Sequence, residues 1–353
     1  MQLQAEPGKV GKRAKELAAT GVGGVFTFEG PHDVFLPLAL AAEVPNLQLM
    51  TNVAIAIPRS PVQTAHTAWD LQTLSKGRFR LGLGSQIRPH IVRRYGATWD
   101  RPAAQMRDQI GAIKAVFASW QNGTPLDYRG EYTELDLMPP LFNPGPNDHG
   151  PPPVLLGALG PVMTRTAAEC ADGLLVMPFH SVEHFESRTL PNVEAGLSRR
   201  TVDGPFSLQP QAILAMARNV EAMDAALAGV RGLLGFYGST PAYRPVLESV
   251  GRGELQAELH AAIKRGEWDL LGTLLNDDLV RRLAVVGTPE ECATQLDQRF
   301  GAVAERVCVY FPGYEPSDDL LRDLVRAAAG AGGDGVAVVE AGTPAEGPPD
   351  LRA

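Results

Sequence analysis

Gln48-Leu49-Met50-Thr51-Asn52-Val53-Ala54-Ile55-Ala56-Ile57 is a β-rich apolar run that stops at Pro58. A helix signature follows at once. Ser60 is a good N-cap and Pro61 suits the first helical turn. Val62, Ala65 and Trp69 share one face, and Gly77 stands where a helix-ending glycine belongs. Phe79, Leu81 and Leu83 then alternate as a strand does. Strand, helix and strand in so few residues form a parallel crossover unit, and the rest of the chain repeats it.

Outward from this unit, strands are predicted over 1–5, 24–28, 154–158, 173–177, 206–215 and 307–311. Helices are predicted over 10–19, 34–43, 101–120, 162–171, 289–300 and 318–329. Residues 221–282 read as mostly helical, placing extra helices between strands seven and eight. Residues 121–153 interrupt the alternation and read as an insertion with a hairpin near 126–132. Residues 330–353, rich in Gly, Ala and Pro, read as a disordered tail after one domain over 1–329. Eight strands alternating with helices predict a parallel α/β fold. No strand-linked G-x-G-x-x-G with a following acidic residue occurs, which favours a (β/α)₈ barrel over a doubly wound sheet.

The formal net charge of −8 argues against nucleic acid or an anionic membrane as main partner. Three cysteines without a C-x-x-C spacing predict buried thiols in a reducing cytoplasm. Zinc-helix, EF-hand and G-x-S-x-G patterns are absent, so no metal site is expected.

In a barrel, chemistry gathers at the C-terminal strand ends. Strand two exits through Glu29-Gly30-Pro31-His32-Asp33. His32, an imidazole at a strand exit, is a candidate proton donor. Glu29 is a second candidate, and Asp33 equally suits a helix cap. Asn52 is anomalous in an apolar strand, because a buried amide must find partners. Strand four exits through Gly82-Leu83-Gly84-Ser85 to Arg88, and glycines two apart imply a close approach on one side. A flat ring or tight interior packing would each explain it. Arg88, His90, Arg93 and Arg94 form a small basic cluster. Strand five exits through Gly157-Ala158-Leu159-Gly160-Pro161, a turn whose backbone N–H groups suit a phosphate. Strand six exits through Met177-Pro178-Phe179-His180.

As an ordered set these exits resemble the luciferase-like monooxygenase superfamily, with the coenzyme F420-dependent oxidoreductases as its nearest branch. The segments 24–33, 49–56, 77–85, 157–161 with 171–173, 236–244 and 286–291 carry the likeness. The resemblance implies a bacterial-luciferase-like TIM barrel that binds the deazaflavin F420, or alternatively FMN. It implies a bulge at Asn52-Val53, with a cis peptide, backing the cofactor ring. Gly84, Ser85 and Arg88 would flank the ring. Gly157, Leu159 and Gly160 would hold the phosphate, with Met177 and His180 beside it. Glu29 and His32 would lie over the reactive face. Homodimers are common in this family. A related dehydrogenase pattern carries Asp-His at strand two and Glu after the strand-four glycines. Here Glu-Gly-Pro-His and Ser85 stand instead, which weakens a sugar-phosphate substrate. The implied activity is hydride transfer to or from a small organic molecule. An FMN monooxygenase and a non-catalytic flavin carrier are the rival readings.

Overall fold

The computed structural model describes residues 1–331. Its strands are β1 (Gly24–Thr27), β2 (Gln48–Thr51), β3 (Ala54–Ile55), β4 (Phe79–Gly84), β5 (Tyr128–Arg129), β6 (Glu134–Leu135), β7 (Val154–Ala158), β8 (Gly173–Val176), β9 (Ser207–Met216), β10 (Val285–Gly287) and β11 (Cys308–Tyr310). All but the hairpin pair β5–β6 join one parallel sheet, ordered β1-β2-β4-β7-β8-β9-β10. β3 pairs with β4 and β11 pairs with β9. Helices cover the connections, so the architecture is the α/β barrel type expected from the alternation.

Four expectations need adjustment. The first strand shrinks to a single bridge, Gln2 to Phe26, held by Leu3 N–H to the Phe26 carbonyl at 2.7 Å. Among the described residues no ladder joins this segment to β11, so the ring is not closed by backbone bonds there. β10 was not foreseen, because three residues inside a helix-rich stretch give too short a pattern to read. The hairpin sits a few residues later than predicted. The last helix, Asp318–Ala331, runs through Gly330, and residues 332–353 of the expected tail lie outside the described residues.

Local sequence explains the elements. Ser60 accepts the Gln63 N–H and Pro61 begins the helix Pro61–Leu74, as its pattern requires. That helix ends with Lys76 and Gly77 both left-handed, at φ 54° and 83°. Thr288 and Glu291 form a capping box on the helix Pro289–Phe300. The amphipathic helix Pro102–Asn122 buries Phe117 and Trp120 against Trp69, with ring centroids 5.4 Å apart in both pairings with Trp69.

Inside the ring, Phe26, Met50, Leu155, Leu175 and Cys308 pack together, with Val53 and Tyr310 against them. Burial of each large apolar side chain contributes roughly 1.5–3 kcal/mol. Register fixes what else points inward. Leu175 pairs with Gln209, and Cys308 with Gln211, and paired residues share a face. Gln209 and Gln211 therefore face the ring interior. All three cysteines are free and buried. No helix among the described residues is long and apolar enough to cross a membrane.

Candidate active site at the strand ends

The bulge at the end of β2 organises the site. Met50 pairs with Arg80, and Ala54 with Leu83. Three residues on one strand thus oppose two on the other, which is the definition of a bulge. The Asn52–Val53 peptide within it is cis, as the resemblance implies. The Thr51 hydroxyl donates to the Gly82 carbonyl at 2.7 Å and accepts the Gly82 N–H at 2.9 Å. The strand-four glycines are explained by this bulge. A side chain on Gly82 would overlap the Thr51 carbonyl, and one on Gly84 would overlap Val53 Cγ2. A Cβ on Gly157 would lie 3.0 Å from Val53 Cγ1. Val53 is cradled between Gly84 and Gly157.

The same bulge holds Asn52, which is buried. Neither its amide nitrogen nor its amide oxygen has a partner among the described residues. Gln211, on the interior face of β9, likewise has an unpartnered Oε1. The Tyr310 hydroxyl stands 3.5 Å from the Asn52 carbonyl oxygen. Leaving such groups unsatisfied costs about 1–3 kcal/mol each, so a polar ligand edge is the natural complement. These residues fit a ring carrying both hydrogen-bond donors and acceptors.

Glu29 is a hub and not a free acid. Its Oε2 accepts the Ile55 N–H at 2.8 Å and the Arg59 guanidinium at 2.7 Å. Its Oε1 accepts the Tyr95 hydroxyl at 2.9 Å. The carboxylate thereby ties β3, Arg59 and the segment after β4 to the β1 exit. Burial, then the Glu29 hydrogen bond, raises the Tyr95 phenol above its ordinary range. His32 is exposed and makes no side-chain hydrogen bond among the described residues. Asp33 caps the next helix by accepting the Phe35 and Leu36 N–H groups, both at 2.8 Å.

At the β7 exit, Gly160 is exposed and caps the helix Pro161–Cys170. Among the described residues the N–H groups of Gly160, Val162 and Met163 have no partner, and no acidic residue occupies that first turn. Such an end attracts an anion. Ser85 is half-buried, with its hydroxyl on the Gln86 carbonyl at 3.1 Å, and Arg88 is exposed. Leu159, Met177, Tyr237, Tyr243 and Tyr310 all pack against one buried apolar cluster that includes Phe179 and Ile213.

His180 is not brought to this cluster. Its ring lies between Phe185 and Phe300, 5.7 and 5.6 Å away, and its Nε2 meets the Gln211 carbonyl at 3.0 Å. Burial pushes it down to about 4, so it is neutral at pH 7. Tyr95, Gln211, Tyr237 and Tyr310 were missed from sequence. Gln209 and Gln211 carry the clue that Asn52 gave, an amide inside an apolar strand. Among the described residues no group of His, Cys, Asp and Glu could hold a metal ion.

The chain is 41% identical to an uncharacterized protein of Mycobacterium tuberculosis over 84% of this chain and 88% of that one. It is 28% identical to a putative coenzyme F420-dependent oxidoreductase of the same organism, covering 78% and 83%. The coenzyme F420-dependent tetrahydromethanopterin reductase of Methanopyrus kandleri superposes with TM-score 0.74 at 20% identity, covering 92% of this chain and 95% of that one. The sequence pattern of the luciferase-like monooxygenase family matches residues 2–306, and the chain belongs to that family.

Proposed function

We propose that the chain is an F420-dependent oxidoreductase that moves a hydride between the deazaflavin and a small organic substrate. The observation that carries this reading is the buried Asn52 amide at the β2 exit, unpartnered at both atoms among the described residues. When bound, the deazaflavin supplies the carbon that gives or takes the hydride. The remaining work belongs to the protein. Asn52 and Gln211 offer hydrogen bonds to a polar ring edge. Val53, seated against Gly84 and Gly157, backs the ring. Gly160 and the N–H groups after it, with Leu159 beside them, receive the phosphate. Ser85 and Arg88 flank the ring from the β4 exit. His32 delivers or removes the proton at the substrate, and Glu29 orients the loop that carries His32. The apolar wall at Leu159 and Met177 excludes water.

The relative described as F420-dependent supports the cofactor. The family description as monooxygenases keeps oxygen chemistry as the second reading, and a Pseudomonas putida monooxygenase of like fold is in complex with FMN. Fluorescence titration of the purified chain with F420 and with FMN separates them. Binding of F420 and not FMN is expected. Preference for FMN moves the assignment to the monooxygenase reading, and binding of neither overturns both.

A further inference from the structure

One row of aromatic rings runs from the β8 exit to the surface. It starts at Phe179, which is 0% exposed. Phe179 lies 6.1 Å from Tyr243 and 6.0 Å from Tyr237, centroid to centroid. Tyr237 lies 5.9 Å from Phe236, which stacks on Trp268 at 6.3 Å with the planes 29° apart. Phe236 is 45% exposed and Trp268 is 56% exposed. Its inner end, Phe179, follows β8 directly and belongs to the buried cluster against which Leu159, Met177 and Tyr310, at the strand ends, also pack.

Packing alone does not account for this arrangement. The buried end serves the helical layer over the barrel, but the outer pair is stacked in water. Rings held in near-parallel contact at a surface present a face for a further ring. The hydroxyls of Tyr237 and Tyr243 form no hydrogen bond among the described residues, although both side chains are half-buried. They remain available to a polar substituent. Burial holds the Tyr237 phenol at about 12, so it is a hydrogen-bond donor at neutral pH.

We infer that this row is the substrate-side wall of the site and selects a planar, apolar, ring-bearing molecule with a hydroxyl or carbonyl at its edge. Trp268 and Phe236 receive the ring at the entrance, and Tyr237 and Tyr243 meet its polar substituent further in. The inference names a substrate class for the oxidoreductase reading. What then happens to the molecule rests on that reading, whereas where it binds does not.

The test uses the full chain without cofactor, titrated calorimetrically with 2-naphthol and with cyclohexanol. 2-Naphthol should bind at least about tenfold more tightly, since aromatic pairs add about 0.5–1.5 kcal/mol each beyond area and 1.4 kcal/mol is tenfold. Phe236→Ala and Trp268→Ala should each weaken 2-naphthol about fivefold and leave the F420 titration unchanged. Both side chains are exposed, and circular dichroism verifies the fold of each variant. Equal affinity for the two probes overturns the inference. So do variants that bind 2-naphthol as the wild type does, or that lose F420 as well. A chain that binds 2-naphthol along this row but neither F420 nor FMN keeps the inference and defeats the oxidoreductase reading.

Discussion

Val53 fills the space that a side chain on Gly84 would need. One strand end is therefore shaped by another, through a residue of the bulge that carries Asn52. Valine is stiff at χ1, so it cannot swing aside at little cost. Gly84→Ala should lose about 2 kcal/mol of stability and displace the Asn52 amide, weakening cofactor binding. Adding Val53→Ala should recover most of the stability by removing the clash. Denaturant unfolding of the single and double variants checks this. A Gly84→Ala chain as stable as wild type would rule the contact out.

The unpartnered Asn52 amide predicts a trade-off. Asn52→Leu removes two buried unsatisfied atoms and should raise the stability of the cofactor-free chain by about 1–3 kcal/mol. The same change should weaken F420 binding at least tenfold. Thermal melts with and without F420 give both numbers. If stability and binding fell together, Asn52 would be a structural amide.

Glu29 and His32 are separable by their contacts. His32→Ala should lower kcat by about 10²–10⁴ and remove one limb of the pH profile, with little effect on folding. Glu29→Gln leaves Arg59 without its carboxylate and should cost about 1–3 kcal/mol of stability. Tyr95→Phe should reproduce part of that loss. Steady-state profiles beside unfolding curves distinguish the two roles, and an unaltered His32→Ala profile would remove His32 from the chemistry.

Two buried histidines make stability depend on pH. Burial depresses His180 and His184 to about 4 from an ordinary 6.5. Between those values the unfolded chain binds more protons than the folded one, so stability rises with pH. It should be complete above pH 6.5 and fall as pH drops toward 4, by up to about 1.4 kcal/mol per unit for each histidine. His180→Gln should reduce that slope. Urea unfolding from pH 4.5 to 7 measures it, and a wild-type slope unchanged in this variant contradicts the assignment.

Much of this architecture is legible residue by residue. Apolar alternation locates the strands because one face must be buried. The amide of Asn52 stands out because an apolar strand gives it nothing to bond. The glycines at 82 and 84 announce a close approach, but not what approaches. A ring and a valine two residues beyond Thr51 leave the same mark. His180 was unreadable because the partners that capture its ring, Phe185 and Phe300, are set by a fold that one strand exit does not reveal. Tyr310 and Tyr237 were passed over because an aromatic in an apolar run looks like core.

β9 has a consequence for how the barrel can change. Its residues 207–210 align β8, 211–213 align β11 and 214–216 align β10. One strand is thus the ruler for three others, and Pro210 marks where β8 stops and β11 begins. Because side chains alternate with a period of two, a single-residue insertion in β9 would turn Gln211 and its neighbours outward while misaligning three strands at once. The β5–β6 hairpin sets the register of no barrel strand. Length variation in this lineage should accumulate in the hairpin and be nearly absent from β9.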